Sequence, residues 1–264
     1  PAMGIIHFIG IGGIGMSGLA LILNDLGFKV TGSDQTNNTM IQVLKNRSIP
    51  ISDDLTYIDN ASLIVISSAI KESHPGLSRA RQLGLTVVKR SHILAEIMRT
   101  RFGVAVAGTH GKTTVTSLIG TLLLKADLDP TIVSGGILND LYANARLGKG
   151  QWIVAEADES DGSFVHLPHT IGIVTNIEPE HMDYYETVEC LIDHFQEFLN
   201  KLPFYGLGIV ASCDIFQKSI QPYLNHKRFI TYGLSEADVC AKLTKATPMG
   251  LYFDLHLAPS FYKY

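Results

Sequence analysis

Twice in its 264 residues the chain runs from a short apolar stretch straight into a glycine-rich loop and then into a helix-forming segment. The first instance is IIHFIGIGGIGMSG at residues 5–18, and the second is VAVAGTHGKTTVTSLIG at residues 104–120. A short apolar run that stops at glycine reads as a strand buried on both faces, with the segment after the loop covering the sheet as a helix. Two such starts, at Ile5 and Phe102, dictate two α/β units in series. Each should carry its loop at the carboxyl ends of parallel strands, where ligands collect in such folds.

The pattern between the two starts is a regular alternation. Strands are expected at Ile5–Ile9, Lys29–Gly32, Ser62–Ser67 and Thr86–Lys89, and helices at Met16–Leu26, Met40–Asn46, Pro75–Leu83 and Ser91–Arg99, the first stopped by Gly27. The domain boundary falls near residues 97–101, which divides the chain into 1–98 and 99–264. The second unit reads as strand Phe102–Ala107, helix Thr113–Lys125, strands Gln151–Ala155 and Thr170–Asn176, helix Val188–Leu199 and strand Gly208–Ala211. Beyond Phe229 the signals are short strands such as Gly250–Leu257.

A net charge of -4 and a pI near 6.2 give neither the basic footprint that nucleic acid requires nor a polybasic stretch for a membrane surface. Met3–Leu23 lacks charged residues apart from His7 and is long enough to cross a bilayer, but its six glycines fall in a phosphate-loop pattern, so no membrane role is expected. Cys190, Cys213 and Cys240 are odd in number and widely spaced, which suggests neither a disulfide framework nor a zinc site and fits a reducing cytoplasm. His7, His74, His92, His166, His169, His194, His226 and His256 show no metal-ligand spacing and read as surface or satisfied core.

The first loop has the spacing G-x-G-x-x-G at Gly10, Gly12 and Gly15, with Asp34 following 19 residues after Gly15, as in a dinucleotide site. The second loop has different chemistry. Gly108 to Gly111 aim backbone N–H groups and a helix N-terminus at phosphate, Lys112 adds charge, and Thr113 and Thr114 offer hydroxyls to Mg²⁺, which together make a triphosphate site. The usual phosphate-loop spacing would put the first glycine at Val106, so the loop is a shortened version. Two further apolar runs end in carboxylates. QWIVAEADESDGSF carries Glu156, Asp158, Glu159 and Asp161, and IVTNIEPEHMDYY carries Asn176, Glu178, Glu180, His181 and Asp183. Hard oxygens at strand ends beside a phosphate loop are natural Mg²⁺ ligands.

Taken in order, GIGGIGMSG, GTHGKTT, EADESDGSF and TNIEPEHMD resemble the Mur ligase family over nearly the whole chain. In that family the shortened loop is the ordinary ATP site. The resemblance implies a Rossmann-like parallel-sheet domain for UDP-N-acetylmuramate at 1–98, followed by a P-loop ATPase-type α/β domain at 99–264, cut short at its C-terminal end. Gly108, Thr109, His110, Gly111, Lys112, Thr113 and Thr114 would wrap ATP, with Asn176 and Glu159 nearby. Thr113 and Glu156 would hold one Mg²⁺ and His181 a second, making Lys112, Glu156 and His181 the catalytic set. Gly10, Gly12, Gly13, Ile14, Gly15, Met16 and Ser17 would hold the diphosphate of the UDP-sugar, with Asp34, Ser67, Ser68, Ala69 and Ile70 around the uridine and diphosphate.

The implied activity is that of an ADP-forming ligase in peptidoglycan precursor synthesis, in which an acyl phosphate on the muramoyl carboxylate is captured by L-alanine. No obligate protein partner is implied. Some members steady the second metal with a carbamylated lysine, but no lysine lies between His181 and Lys201 here. The family's third domain is also missing, so a UDP-sugar-binding fragment with weak or no catalysis is expected. The rival readings are a murein-peptide recycling ligase, a non-catalytic nucleotide-binding regulatory module and an NAD-dependent dehydrogenase, the last leaving the lysine loop unexplained.

Overall fold

The structure is a computed structural model that describes residues 4–52, 56–138, 143–212 and 228–259. The chain forms two compact units that interleave in sequence. One comprises residues 1–101 and 113–156, the other 102–112 and 157–264.

In the first unit, strands β1 (Ile5–Ile9), β2 (Val30–Ser33), β3 (Ala61–Ile66) and β4 (Thr86–Lys89) form a wholly parallel sheet in the order β2-β1-β3-β4. Its helices are α1 (Ile14–Asp25), α2 (Thr39–Asn46), α3 (Thr56–Asp59), α4 (Pro75–Gln82) and α5 (Arg90–Met98). Central β1 is buried along almost its whole length, which is why its sequence is a continuous apolar run and not an alternation. The exception, His7, is fully buried and satisfied, with Nδ1 2.9 Å from Thr31 Oγ1 and Nε2 3.2 Å from Ser33 Oγ. Side-chain caps set two helix starts. Asn38 accepts from Ile41 N, and His74 accepts from Gly76 N just before Pro75.

Helix α1 is buried from Met16 to Leu23, so it is apolar all round. It packs on α2 and α5 and also on β6 (Thr131–Leu138) and β7 (Ala143–Arg146). These two strands belong to the same unit, as does β8 (Trp152–Glu156). Strand β6 pairs parallel with β8 and antiparallel with β7. Strands β6 and β7 have no counterpart in the sequence expectations, because Ser134-Gly135-Gly136 interrupts the apolar signal. Helix α6 (Lys112–Lys125) begins at the junction of the units.

In the second unit, β5 (Phe102–Ala107), β9 (Ile171–Val174), β10 (Leu207–Ala211), β11 (Arg228–Gly233) and β12 (Val239–Thr247) pair in parallel, and β13 (Gly250–Leu257) closes the edge antiparallel to β12. Strand β13 has the bounds expected from the sequence, and β12 lies just before it. Helices α7 (Met182–Tyr185) and α8 (Val188–Asn200) follow β9, and Thr187 caps α8 by accepting from Cys190 N. A cluster of Phe164, Phe195 and Phe198 forms the core, with the His169 ring stacked 4.2 Å from Phe198. Both sheets confirm the α/β class, the first all parallel and the second mixed. Cys213 and His226 lie outside the described residues. No helix among the described residues is long and apolar enough to cross a membrane.

Candidate functional site

The first glycine loop is held from outside by one carboxylate. The chain leaves β1 through Gly10, whose φ of 77° suits glycine alone, and the N–H groups of Gly10 and Ile11 donate to Ser33 O. Gly12 N donates to Asp34 Oδ2 at 2.7 Å, and a Cβ on Gly12 would lie 2.9 Å from that oxygen. Asp34 Oδ1 accepts from the N–H and hydroxyl of Thr36 at 2.8 and 2.7 Å. Asp34 therefore sits where the spacing predicts, and the contacts it makes are those of a strut for the loop.

Gly13 caps α1 without a side chain, and Gly13 and Ile14 are exposed at the helix N-terminus, where amide donors and the macrodipole favour an anion. Met16 and Ser17 turn inward. Both are buried, and their N–H groups donate to Gly13 O at 3.1 and 2.9 Å. They support the predicted diphosphate site from behind and do not face it. Ser67–Ile70 forms a turn closed by Ile70 N to Ser67 O at 3.2 Å, with Ser68 and Ala69 exposed. A cavity of about 320 Å³ is lined by Gly10, Ser33, Asp34, Ile70, His74 and Pro75. The sequence gives His74 only as surface or satisfied core and Pro75 only as a helix start, and the signal that places them here is their position at the start of α4, the helix after β3.

In the same unit Glu156, the last residue of β8, accepts from Thr113 Oγ1 at 3.0 and 3.1 Å and from Gly135 N at 2.6 Å. The approach requires glycine. A Cβ on Gly135 would stand 2.7 Å from the Glu156 oxygens, and one on Gly136 would stand 2.9 Å from Thr113 Cγ2. Ligand oxygens on adjacent corners of a Mg²⁺ octahedron lie about 3 Å apart, so this hydroxyl and carboxylate fit that ion.

The second loop, in the other unit, is clamped by the chain leaving β9. Gly108 and Gly111 take φ of 128° and 82°, and a Cβ on Gly108 would collide with Thr175 Oγ1. Asn176 Oδ1 accepts from His110 N and its Nδ2 donates to His110 O, both at 2.9 Å. Thr109 Oγ1 accepts from Glu178 N at 2.9 Å. Asn176 and Thr109 thus fix the shape of the loop, and the exposed His110 ring faces Glu178 across 3.7 Å.

Lys112 Nζ donates to Gly108 O at 2.7 Å, Thr109 O at 3.0 Å and Glu159 Oε1 at 2.9 Å. Glu159 is 1% exposed. Burial pushes its carboxyl above the usual range, opposed by the Lys112 ammonium. Tyr185, also buried, donates its hydroxyl to Glu159 O, and burial raises its own pKa. His181, in the left-handed region at φ 55°, lies 3.9 Å from Glu159 Oε1. Glu159, Glu180 and His181 bring ligand atoms within 4.8 Å of one another. The sequence reading grouped His181 with Glu156 and left Glu159 at the margin, whereas here Glu159 is the residue that joins His181 to Lys112. In a run of four acidic residues, only burial singles it out.

The sequence matches the description "Mur ligase family, catalytic domain" over residues 5–102 and "Mur ligase middle domain" over residues 106–260. A UDP-N-acetylmuramate--L-alanine ligase of Rhodospirillum rubrum is 46% identical over 258 residues, covering 97% of this chain and 54% of the relative. The protein of that name from Azorhizobium caulinodans is 47% identical over 241 residues, covering 90% and 52%. The solved UDP-N-acetylmuramate-alanine ligase of Thermotoga maritima superposes with a TM-score of 0.87 at 25% identity, covering 97% of this chain and 58% of that one. The UDP-N-acetylmuramate:L-alanyl-gamma-D-glutamyl-meso-diaminopimelate ligase of Neisseria meningitides gives 0.86 at 28% identity, covering 97% and 85%. The chain spans about half the length of the curated relatives it matches.

Proposed function

The chain belongs to the Mur ligase family, and on that premise we propose that it supplies the UDP-sugar and ATP sites of a cytoplasmic, ADP-forming ligase that joins L-alanine to the carboxylate of UDP-N-acetylmuramate. The observation that carries the ATP half is Lys112, which ends a glycine loop and holds the buried Glu159. Residues 1–98 take the UDP-sugar and residues 99–264 the ATP. The α1 N-terminus at Gly13–Gly15 and the cavity beside Asp34 suit a diphosphate with its nucleoside.

Lys112 would exchange its bonds to Gly108 O and Thr109 O for β- and γ-phosphate oxygens, while Asn176 and Thr109 keep the loop open around them. Thr113 and Glu156 would hold Mg²⁺, and His181 with Glu159 and Glu180 a second ion. Bound there, Mg²⁺ would screen the phosphate charge. The muramoyl carboxylate would attack the γ-phosphorus as the bond to ADP breaks, and the amine of L-alanine would then attack the acyl carbon, losing a proton and expelling inorganic phosphate.

The recycling-ligase reading draws support from the 28% identity to the Neisseria structure, and the 46% and 47% identities to alanine ligases outweigh it. Calorimetric titration of UDP-N-acetylmuramate into this chain, with NAD⁺ in parallel, tests the proposal. Saturable binding of the UDP-sugar alone is expected. Binding of NAD⁺ alone would return the Gly10–Gly15 loop to a dinucleotide role and sink the ligase reading.

A further inference from the structure

One side chain of β7 makes hydrogen bonds to the glycine-loop helix, against which β6 and β7 pack. Asn144, on β7, is fully buried, and its Nδ2 donates to the carbonyl of Ile14 and, at 3.2 Å, to Ser17 Oγ. Chemistry fixes the direction of the amide. Ile14 O can only accept, and the single hydroxyl proton of Ser17 is aimed at Gly13 O or Ile14 O, 2.9 and 3.0 Å away, so the NH₂ end must face the helix. Asn144 Oδ1 is then left buried with no partner among the described residues. An apolar side chain of the same size would avoid that orphan acceptor, so the two donors are what the position needs.

Two neighbouring features make the contact specific. A Cβ on Gly18 of α1 would stand 3.0 Å from Ala145 Cβ and 3.2 Å from Asn144 Nδ2, so bare backbone admits the strand. On the other strand of the hairpin, Gly135 N holds Glu156, which holds the Thr113 hydroxyl. The two ends lie in the same stretch of the strand pair, because the ladder is regular up to Val133 opposite Ala145 and irregular from there to Leu138 opposite Ala143, with Gly135 on one strand and Asn144 on the other between those pairs.

We infer that Asn144 is a positioning residue, tying the anion-binding end of α1 to the hairpin that orients Glu156, so that ligands at the two places strengthen each other's binding. The identity of those ligands rests on the proposed function; the linkage itself does not. Reciprocity requires that whatever tightens the first site on occupation of the second also acts in reverse.

The test titrates UDP-N-acetylmuramate calorimetrically into the wild type and Asn144→Leu, with and without saturating ADP and Mg²⁺. In the wild type, ADP with Mg²⁺ should tighten UDP-sugar binding several-fold. In Asn144→Leu the sugar should bind about tenfold more weakly, as befits lost hydrogen bonds, and the tightening should vanish. A lower melting temperature with unchanged affinity and unchanged tightening would reduce Asn144 to a structural residue and overturn the inference. Amide hydrogen exchange on the wild type needs no variant. ADP with Mg²⁺ alone should slow exchange at residues 14–18, and unchanged exchange there would also overturn it. If the wild type fails to bind the UDP-sugar, the proposed function falls, and the exchange measurement still decides the role of Asn144.

Discussion

The two glycine loops begin alike, each following a buried strand and opening a helix, yet they are braced by opposite means. At Gly10–Gly15 the brace comes from outside the loop. Asp34 and Ser33 hold the loop, the helix behind it is buried from Met16 to Leu23, and what faces outward is backbone dipole. At Gly108–Thr114 the brace includes an ion pair from the loop to a residue far along the chain, Lys112 on buried Glu159, and the helix that follows buries only Thr116 and Gly120. Dipoles alone suit a diphosphate that is bound and left intact. A fixed cation suits a phosphoryl group that is to be transferred, because charge moves during that step.

Lys112→Ala should break the comparison most forcefully. It strips the second loop of its cation and removes the ammonium that opposes the burial penalty on the Glu159 carboxyl. Removing one partner of such a pair typically costs about 2–5 kcal/mol, so binding of ADP with Mg²⁺ should weaken by about a hundredfold or more, read by calorimetry. UDP-N-acetylmuramate should bind as before. An equal loss at both ligands would mean that the loops are not independently braced.

Acid should act on both units through the same device. Burial lowers the pKa of His7, on the strand that leads into the first loop, to about 4, and that of His169, just before β9, likewise to about 4. Each is neutral when folded, while the unfolded chain binds a proton below about pH 6.5, so stability falls as pH drops from there toward 4. Between pH 6.5 and 5 each histidine should contribute a loss of about 2 kcal/mol. Urea unfolding across that range checks it, and His7→Asn should remove one share of the slope. A slope unaffected by His7→Asn would place the acid sensitivity elsewhere.

The sequence made the strands before both loops readable because β1, β5, β8 and β9 are buried on both faces and therefore uniformly apolar. It also singled out the lysine loop, since Gly-Lys-Thr can be read without knowing a neighbour. What it could not reveal depended on distance. Gly135 and Gly136 look like strand breakers until Glu156 and Thr113 are seen against them. Glu159 is one carboxylate among four until burial selects it. Spacing draws attention to Asp34, but says nothing of Gly12 N as its partner. Met16 and Ser17 read as part of a binding loop because sequence does not show which residues of a helix's first turn point inward. Asn144 lies 130 residues from Ile14, beyond any local pattern.

Two smaller changes sharpen the contrast. Asp34→Ala removes a charged acceptor from Gly12 N, and hydrogen bonds to charged groups contribute about 1.5–3 kcal/mol, so UDP-sugar binding should weaken by about tenfold or more while ADP binding holds. His110→Ala should do the least. Its ring and Glu178 are both mostly exposed and 3.7 Å apart, a pair that is worth about 0–1 kcal/mol in water, and the loop is held through the His110 backbone, which alanine retains. ADP affinity should therefore shift less than about threefold by calorimetry, the equivalent of well under 1 kcal/mol. A tenfold loss would mean that the imidazole itself touches the nucleotide, and the second loop would then owe its grip to a side chain that the first loop has no counterpart for.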